Sequence, residues 1–227
     1  DLYVPLVEAQ ARDMAYPVAA RNILDALQPL GDGYIEPASR LIDPSHGAVD
    51  VYPSKRKESG AFSSSVYGVH PFIKMNFQDS YDDVSTLAHE LGHFKRHHIT
   101  KGLALSAALA LLGLATLGWL AEQPWFYSGL GVDRSSPALA LVLFLLTLPT
   151  FTLFIGPLLS RLSRRHEFEA DAFAAEQTDP RHLISGLVKM YRDNASTLTP
   201  DPLYSAFYHS HPPAPLRIAH LSSKITA

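Results

Sequence analysis

Residues 89–93, His89-Glu90-Leu91-Gly92-His93, read H-E-x-x-H. On a helix, His89 and His93 lie one turn apart on the same face. Two imidazoles at that spacing can grip one zinc ion. Glu90 lies about 100° further round the helix. From there its carboxylate reaches a metal-bound water instead of the metal. Zinc lowers the pKa of such a water towards ~7, and the carboxylate can take its proton. That is the minimum machinery for hydrolysing a peptide bond. An ordinary helix with two surface histidines would show the same five letters, so the flanks decide.

Upstream, Asp79 or Ser80 can cap this helix, and Asp82 and Asp83 favour its N-terminus. The helix can run on without a break into the segment that follows. Ala61–Tyr67 and His70–Phe77 look like two strands around Gly68, with Phe72, Lys74 and Asn76 alternating with Ile73, Met75 and Phe77. A strand beside an active-site helix can receive a substrate backbone as an added strand. A strand that only covers the core is an equally good reading. Ala48–Pro53 is a third strand candidate, and the charged run Ser54–Gly60 reads as a solvated turn. Before these, Pro17 suits a first helical position, and Val18, Ile23, Leu24, Leu27 and Leu30 lie near one face. Gly31-Asp32-Gly33 ends that helix, and a short helix is expected over Ile35–Ile42.

Downstream, Gly102–Ala121 is apolar and long enough to cross a bilayer, and Ala138–Leu159 is a second such stretch. The competing reading is a pair of buried core helices, but so small a remainder could hardly enclose them. Lys95, Arg96 and Lys101 precede the first stretch, and Arg161, Arg164 and Arg165 follow the second. The loop between them, Glu122–Ser136, carries only Arg134 as a cation. The positive-inside rule therefore places both outer flanks in the cytoplasm. The two spans form a hairpin that returns the chain to the side it left.

Just past the hairpin comes Arg164-Arg165-His166-Glu167-Phe168-Glu169-Ala170-Asp171. On a helix, Glu167 and Asp171 share a face. That suits Glu167 as a third zinc ligand with Asp171 accepting from a ligand imidazole behind it. An acidic surface face is the plainer alternative, and the hairpin tips the balance by bringing this stretch back to residues 89–93. Glu169 is the nearest rival, but it lies on another face and lacks a partner one turn on. Arg181–Arg192 reads as an amphipathic helix, Asn194–Pro202 as a loop, and Ala214–Ser222 as a last helix carrying Arg217.

The chain has 227 residues, 47% hydrophobic and 18% charged, with a net charge of −3. No global basic field invites nucleic acid. There is no cysteine. That excludes disulfides, thiolate metal sites and a cysteine nucleophile, so any metal must use His and carboxylates. The chain opens at Asp1, without a signal-peptide pattern, as a fragment would.

Position 96 is Arg and position 99 is Ile, so the metzincin pattern H-E-x-x-H-x-x-G-x-x-H is absent. From Phe94 on, the chain resembles the CAAX prenyl protease 1 family of integral-membrane zinc peptidases. HELGHFKRHH leading into a span, SRRHEFEADAF after the second span and FYHSHPPAPLRIAHL near the C-terminus carry the resemblance. It implies zinc held by His89, His93 and Glu167, with Glu90 as base and Asp171 behind a ligand. It also implies that His211 and Arg217 line the site, where His211 would polarise the scissile carbonyl or stabilise the oxyanion. On the residues alone, these two could equally be a cap and a surface charge. From Asp1 to His93, the stretches DLYVPLV, ILDALQPLGDGY, VDVYPSKRKESGAFSSSVYGVHPFIKMNF and DDVSTLAHELGH resemble oligoendopeptidase F instead. The chain reads as two metallopeptidases joined at AHELGH.

The expected fold is α+β, mostly α: a zincin-type (gluzincin) core with a small β-sheet and a two-helix transmembrane hairpin. Residues 1–100 would supply the first helices, the sheet and the HELGH helix, 101–160 the hairpin, and 161–227 the third-ligand helix and the C-terminal helices. The expected function is a membrane-anchored zinc endopeptidase with its active site facing the cytoplasm, a peptide or protein as substrate, the lipid bilayer as a partner and no role for nucleic acid. Cleavage of short soluble peptides, or a non-catalytic membrane protein whose two halves do not assemble, are the alternatives.

Overall fold

The computed structural model describes residues 14–64, 71–194, 197 and 199–225. Within them lie the helices α1 (Tyr16–Leu27), α2 (Asp32–Ile42), α3 (Tyr81–Lys95), α4 (His98–Ala121), α5 (Pro124–Gly129), α6 (Pro137–Gln177), α7 (Pro180–Asp193), α8 (Pro202–Tyr208) and α9 (Ala214–Ile225). The strands are β1 (Val49–Asp50), β2 (Ala61–Ser64) and β3 (Phe72–Met75). The architecture is mostly helical with one small sheet, as expected.

The HELGH helix, α3, starts at Ser80. The Ser80 hydroxyl accepts from the Asp83 N–H, and the Asp83 carboxylate accepts from the Ser80 N–H. This reciprocal cap satisfies two backbone donors and fixes the helix start. Leu87 and Leu91 are fully buried on its inner face, each worth about 1.5–3 kcal/mol relative to exposure. They meet Leu27, Ile42 and Ile73 in one core, and the Tyr34 hydroxyl donates to the Leu91 carbonyl at 3.0 Å.

The sheet order is β1-β3-β2, with β1 parallel and β2 antiparallel to β3. The alternation read from the sequence holds in β3, where Ile73 and Met75 are buried. Being central, β3 has both edges paired, so an added strand would use an outer edge, and of the two edge strands β2 is the one that lines the cleft. Much of the sequence expected to extend these strands, residues 65–70, lies outside the described residues.

Three expectations need correction. Gly31, at φ 82°, separates α1 from α2, and α2 already begins at Asp32. The helix carrying HELGH does not run on unbroken: His97 adopts φ 55° and α4 starts afresh at His98. The run Ser54–Gly60 is not simply solvated, because Lys57 Nζ folds inward onto Asp50 Oδ1 and the Tyr52 carbonyl, both at 2.6 Å.

Two helices, α4 and α6, are long and apolar enough to cross a membrane. The most apolar window of α4 has 0% of its residues buried, and that of α6 has 11%. They are therefore not core helices of this chain. At their tip, the Tyr127 hydroxyl donates to the Ala121 and Ser136 carbonyls and closes the turn. The second helix does not stop at the end of its apolar run. It continues through Pro149 and Pro157 to Gln177, 41 residues in all, and so carries Glu167 and Asp171 on the same rod.

Candidate metal centre

Helices α3 and α6 pack closely because Gly92 has no side chain. A Cβ at Gly92 would sit 3.1 Å from Ala170 Cα, Ala170 O and a Phe173 ring carbon. Ala170 itself is fully buried. This contact sets the face of α3 bearing His89 and His93 against the face of α6 bearing Glu167.

Three donor groups converge there. His89 Nε2 and His93 Nε2 are 3.2 Å apart. Glu167 Oε1 lies 3.4 Å from His93 Nε2, and Glu167 Oε2 lies 3.6 Å from His89 Nε2. This trio could hold a metal ion. Glu90 is buried beside it, and its Oε2 has no hydrogen-bond partner among the described residues. A buried carboxylate oxygen left unpaired is costly, and water bound at the centre would satisfy it.

Behind the trio, His89 Nδ1 lies 2.9 Å from Asp171 Oδ1. Asp171 is wholly buried, and Arg217 Nε donates to its other oxygen at 2.8 Å. The Arg217 guanidinium also lies 3.3 Å from Glu167 Oε2. Burial would lower the His89 pKa, but hydrogen bonds to Asp171 and Glu167 outweigh it and raise it to about 9 in the metal-free protein.

His211 reaches Glu167 Oε2 through Nδ1 at 3.1 Å, while 68% of its side chain stays exposed. That hydrogen bond raises its pKa against the opposing effect of burial. Arg164 holds the segment in place. Its guanidinium donates to the carbonyls of Ser205, Ala206 and His209 at the end of α8, the last at 2.7 Å.

An open cleft of about 840 Å³ runs past these groups. The loop Arg56–Gly60 and strand β2 form one wall, α7 another, and His211 sits at the rim. Ser59 Oγ donates to Asp193 Oδ2 at 2.8 Å and ties the two walls together.

The structure thus brings together all seven residues singled out in the sequence: His89, Glu90, His93, Glu167, Asp171, His211 and Arg217. Residues 77–225 match the model of peptidase family M48. The chain belongs to peptidase family M48. Residues 42–102 also match peptidase family M3. Among curated relatives, a CAAX prenyl protease 1 homolog of Arabidopsis thaliana is 29% identical over 209 residues, 87% of this chain and 49% of the relative. The Homo sapiens homolog is 32% identical over 142 residues, 62% of this chain and 30% of the relative. Oligopeptidase PepF of Bacillus subtilis is 37% identical over 101 residues, 44% of this chain and 15% of the relative. The crystal structure of S. mikatae Ste24p shares the fold, with a TM-score of 0.67 over 96% of this chain and 51% of that one, at 22% identity. The chain spans about half the length of the first CAAX protease relatives it matches. Both resemblances read in the sequence are borne out. The M48-type similarity also reaches upstream of Phe94, since 209 aligned residues exceed the length of the C-terminal part.

Sequence reasoning missed three residues of this M48 site. In the sequence Arg164 reads only as a topological charge. Glu169 does not approach the metal position, yet it is not idle: its carboxylate meets His98 Nε2 at 3.1 Å. His98, buried, in turn faces His93. The signal was the second histidine of His97-His98, visible in the sequence but interpretable only once the break at His97 was known.

Proposed function

We propose that the chain is a membrane-anchored zinc endopeptidase whose cleft opens on the cytoplasmic side. The observation that carries this is the convergence of two imidazole nitrogens 3.2 Å apart on one carboxylate, whose two oxygens lie 3.4 Å from His93 Nε2 and 3.6 Å from His89 Nε2. Ligands about 2.0–2.1 Å from a tetrahedral zinc stand about 3.4 Å from one another. His89, His93 and Glu167 would hold the ion and leave a fourth position towards the cleft. When bound, zinc supplies a Lewis acid and a water acid enough to be deprotonated near neutral pH.

The protein groups divide the remaining work. Glu90 takes the proton from the attacking water and passes it to the leaving amine. The exposed edge of β2 pairs with the substrate backbone and lays it across the cleft. His211, at the rim with its cationic form favoured by Glu167, donates to the carbonyl oxygen as charge develops on it. Arg217 lines the base of the cleft. Its guanidinium balances the Glu167 and Asp171 carboxylates and keeps both in register. The cations flanking α4 and α6, set against the single Arg134 in their loop, support a cytoplasmic site.

Elemental analysis paired with a peptide-cleavage assay on the purified chain tests the reading. One zinc per chain with zinc-dependent cleavage is expected, and zinc-free protein with undiminished cleavage overturns it. The match to peptidase family M3 over residues 42–102 favours a second reading, preference for short soluble peptides. Faster turnover of those than of membrane-bound substrates would select it.

A further inference from the structure

His93 turns Nε2 towards the metal position, which leaves Nδ1 to be satisfied from behind. His98 Nδ1 lies 3.0 Å from that atom, and His98 Nε2 lies 3.1 Å from Glu169 Oε2. The proton positions follow from the chemistry. A metal-binding imidazole is neutral and carries its proton on the nitrogen away from the metal. His93 therefore donates from Nδ1 to His98 Nδ1. That nitrogen is then an acceptor, so His98 carries its own proton on Nε2 and donates to Glu169. Each hydrogen bond fixes the next, and the series ends on a carboxylate with no proton to give. Arg165 Nε, 2.9 Å from Glu169 Oε1, holds that end. The His166 ring stacks on His98 at 4.0 Å between centroids and 9° between planes, leaving the imidazole little freedom to turn.

We propose that His98 and Glu169 form a relay that orients His93 as a metal ligand. Both are positioning residues, since neither touches substrate. The inference rests on the proposed metal centre. It also gives the left-handed backbone at His97 a purpose. On an unbroken helix, residue 98 would stand about 140° round from residue 93 and about 7.5 Å along the axis. The break at His97 folds His98 back beneath the ligand. The two ligand histidines are consequently held by different means: His89 directly by a buried carboxylate, His93 by a neutral imidazole with its carboxylate one step further out.

The test uses the purified full chain, stripped of metal and titrated with zinc against a fluorescent chelator, with thermal unfolding of the metal-free protein as the control for folding. His98→Phe keeps a ring against His166 but removes both nitrogens. It is expected to weaken zinc binding about 10–100-fold. Glu169→Ala should weaken it by a smaller factor, and Glu169→Gln, whose amide oxygen still accepts from His98, should recover most of that loss. The double variant His98→Phe/Glu169→Ala should bind zinc no more weakly than His98→Phe alone, because Glu169 acts through His98. Additive losses would overturn the relay, as would His98→Phe and Glu169→Ala both binding zinc like the unsubstituted chain. If His98→Phe does not fold, the contrast between Glu169→Ala and Glu169→Gln decides: equal affinities in the two sink the relay. Failure of the unsubstituted chain to bind one zinc sinks the metal centre itself, a separate result.

Discussion

Gly92 of α3 lies against the backbone of Ala170 in α6, so closely that a single methyl group would come to 3.1 Å from two Ala170 atoms. The glycine of HELGH is thus the contact that lets the helices carrying His89, His93 and Glu167 meet, in addition to the chemistry of its neighbours.

Gly92→Ala should force α3 and α6 apart. Overpacking of this kind costs about 1–3 kcal/mol, and His93 and Glu167 would move out of common reach. A lowered melting temperature together with weakened zinc binding is expected. Unchanged values for both would show that the interface absorbs a methyl.

Glu90→Gln should leave zinc bound and remove hydrolysis. The amide keeps the shape of the carboxylate but cannot take a proton. General-base catalysis contributes roughly 10²–10⁴-fold, so turnover should fall by at least that range. A variant with near-normal turnover would remove Glu90 from the mechanism.

Glu167→Ala should lose both zinc and cleavage, since it deletes one of the three proposed ligands. Asp171→Ala should be intermediate, about 10–100-fold weaker in metal affinity, and it would leave Arg217 with Glu167 as its remaining carboxylate partner. Metal content of the two variants after dialysis separates them. A Glu167→Ala protein that holds a full equivalent of zinc contradicts the assignment.

The raised pKa of His89, about 9 in the metal-free protein, has two consequences of known sign. Zinc needs the neutral imidazole, so binding expels a proton, and affinity should rise with pH up to about 9. The same group contributes to metal-free stability below its unfolded value of about 6.5, and that contribution fades as pH rises through about 9. The gap in melting temperature between loaded and metal-free protein should therefore widen from pH 6 to pH 8. A constant gap would count against His89 as the proton released.

Cysteines introduced at Ser128 and Thr199 in this cysteine-free chain should report opposite sides of the membrane to an impermeant reagent. The first lies in α5 at the hairpin tip, the second ahead of α8 on the catalytic side. Equal labelling in intact cells would dismiss the hairpin.

Much of this site was legible in the sequence because its chemistry is local. A pair of histidines one turn apart, and a carboxylate pair one turn apart, each announce a helix face. The two apolar runs then supplied the return path that joins those faces. What stayed hidden depends on single backbone angles and on contacts between distant segments. The reversal at His97 could not be read from letters, and without it His98 is only another histidine. Glu169 has no carboxylate one turn on to mark it, yet its partner is an imidazole 71 residues away. Lys57 sat in a run of charges that reads as solvent-facing, and only the turn of the chain brings it onto Asp50.

The unbroken course of α6 makes it a ruler. With its apolar run in a bilayer, Glu167 stands eight residues beyond Leu159, about 12 Å along a rigid axis. The height at which a bond can be cut above the hydrocarbon edge is then a property of one helix. A single residue inserted between Leu159 and Glu167 would swing the ligand about 100° away from α3 as well as raise it. On the proposed reading, a substrate held in the same membrane would have to present its scissile bond at that height.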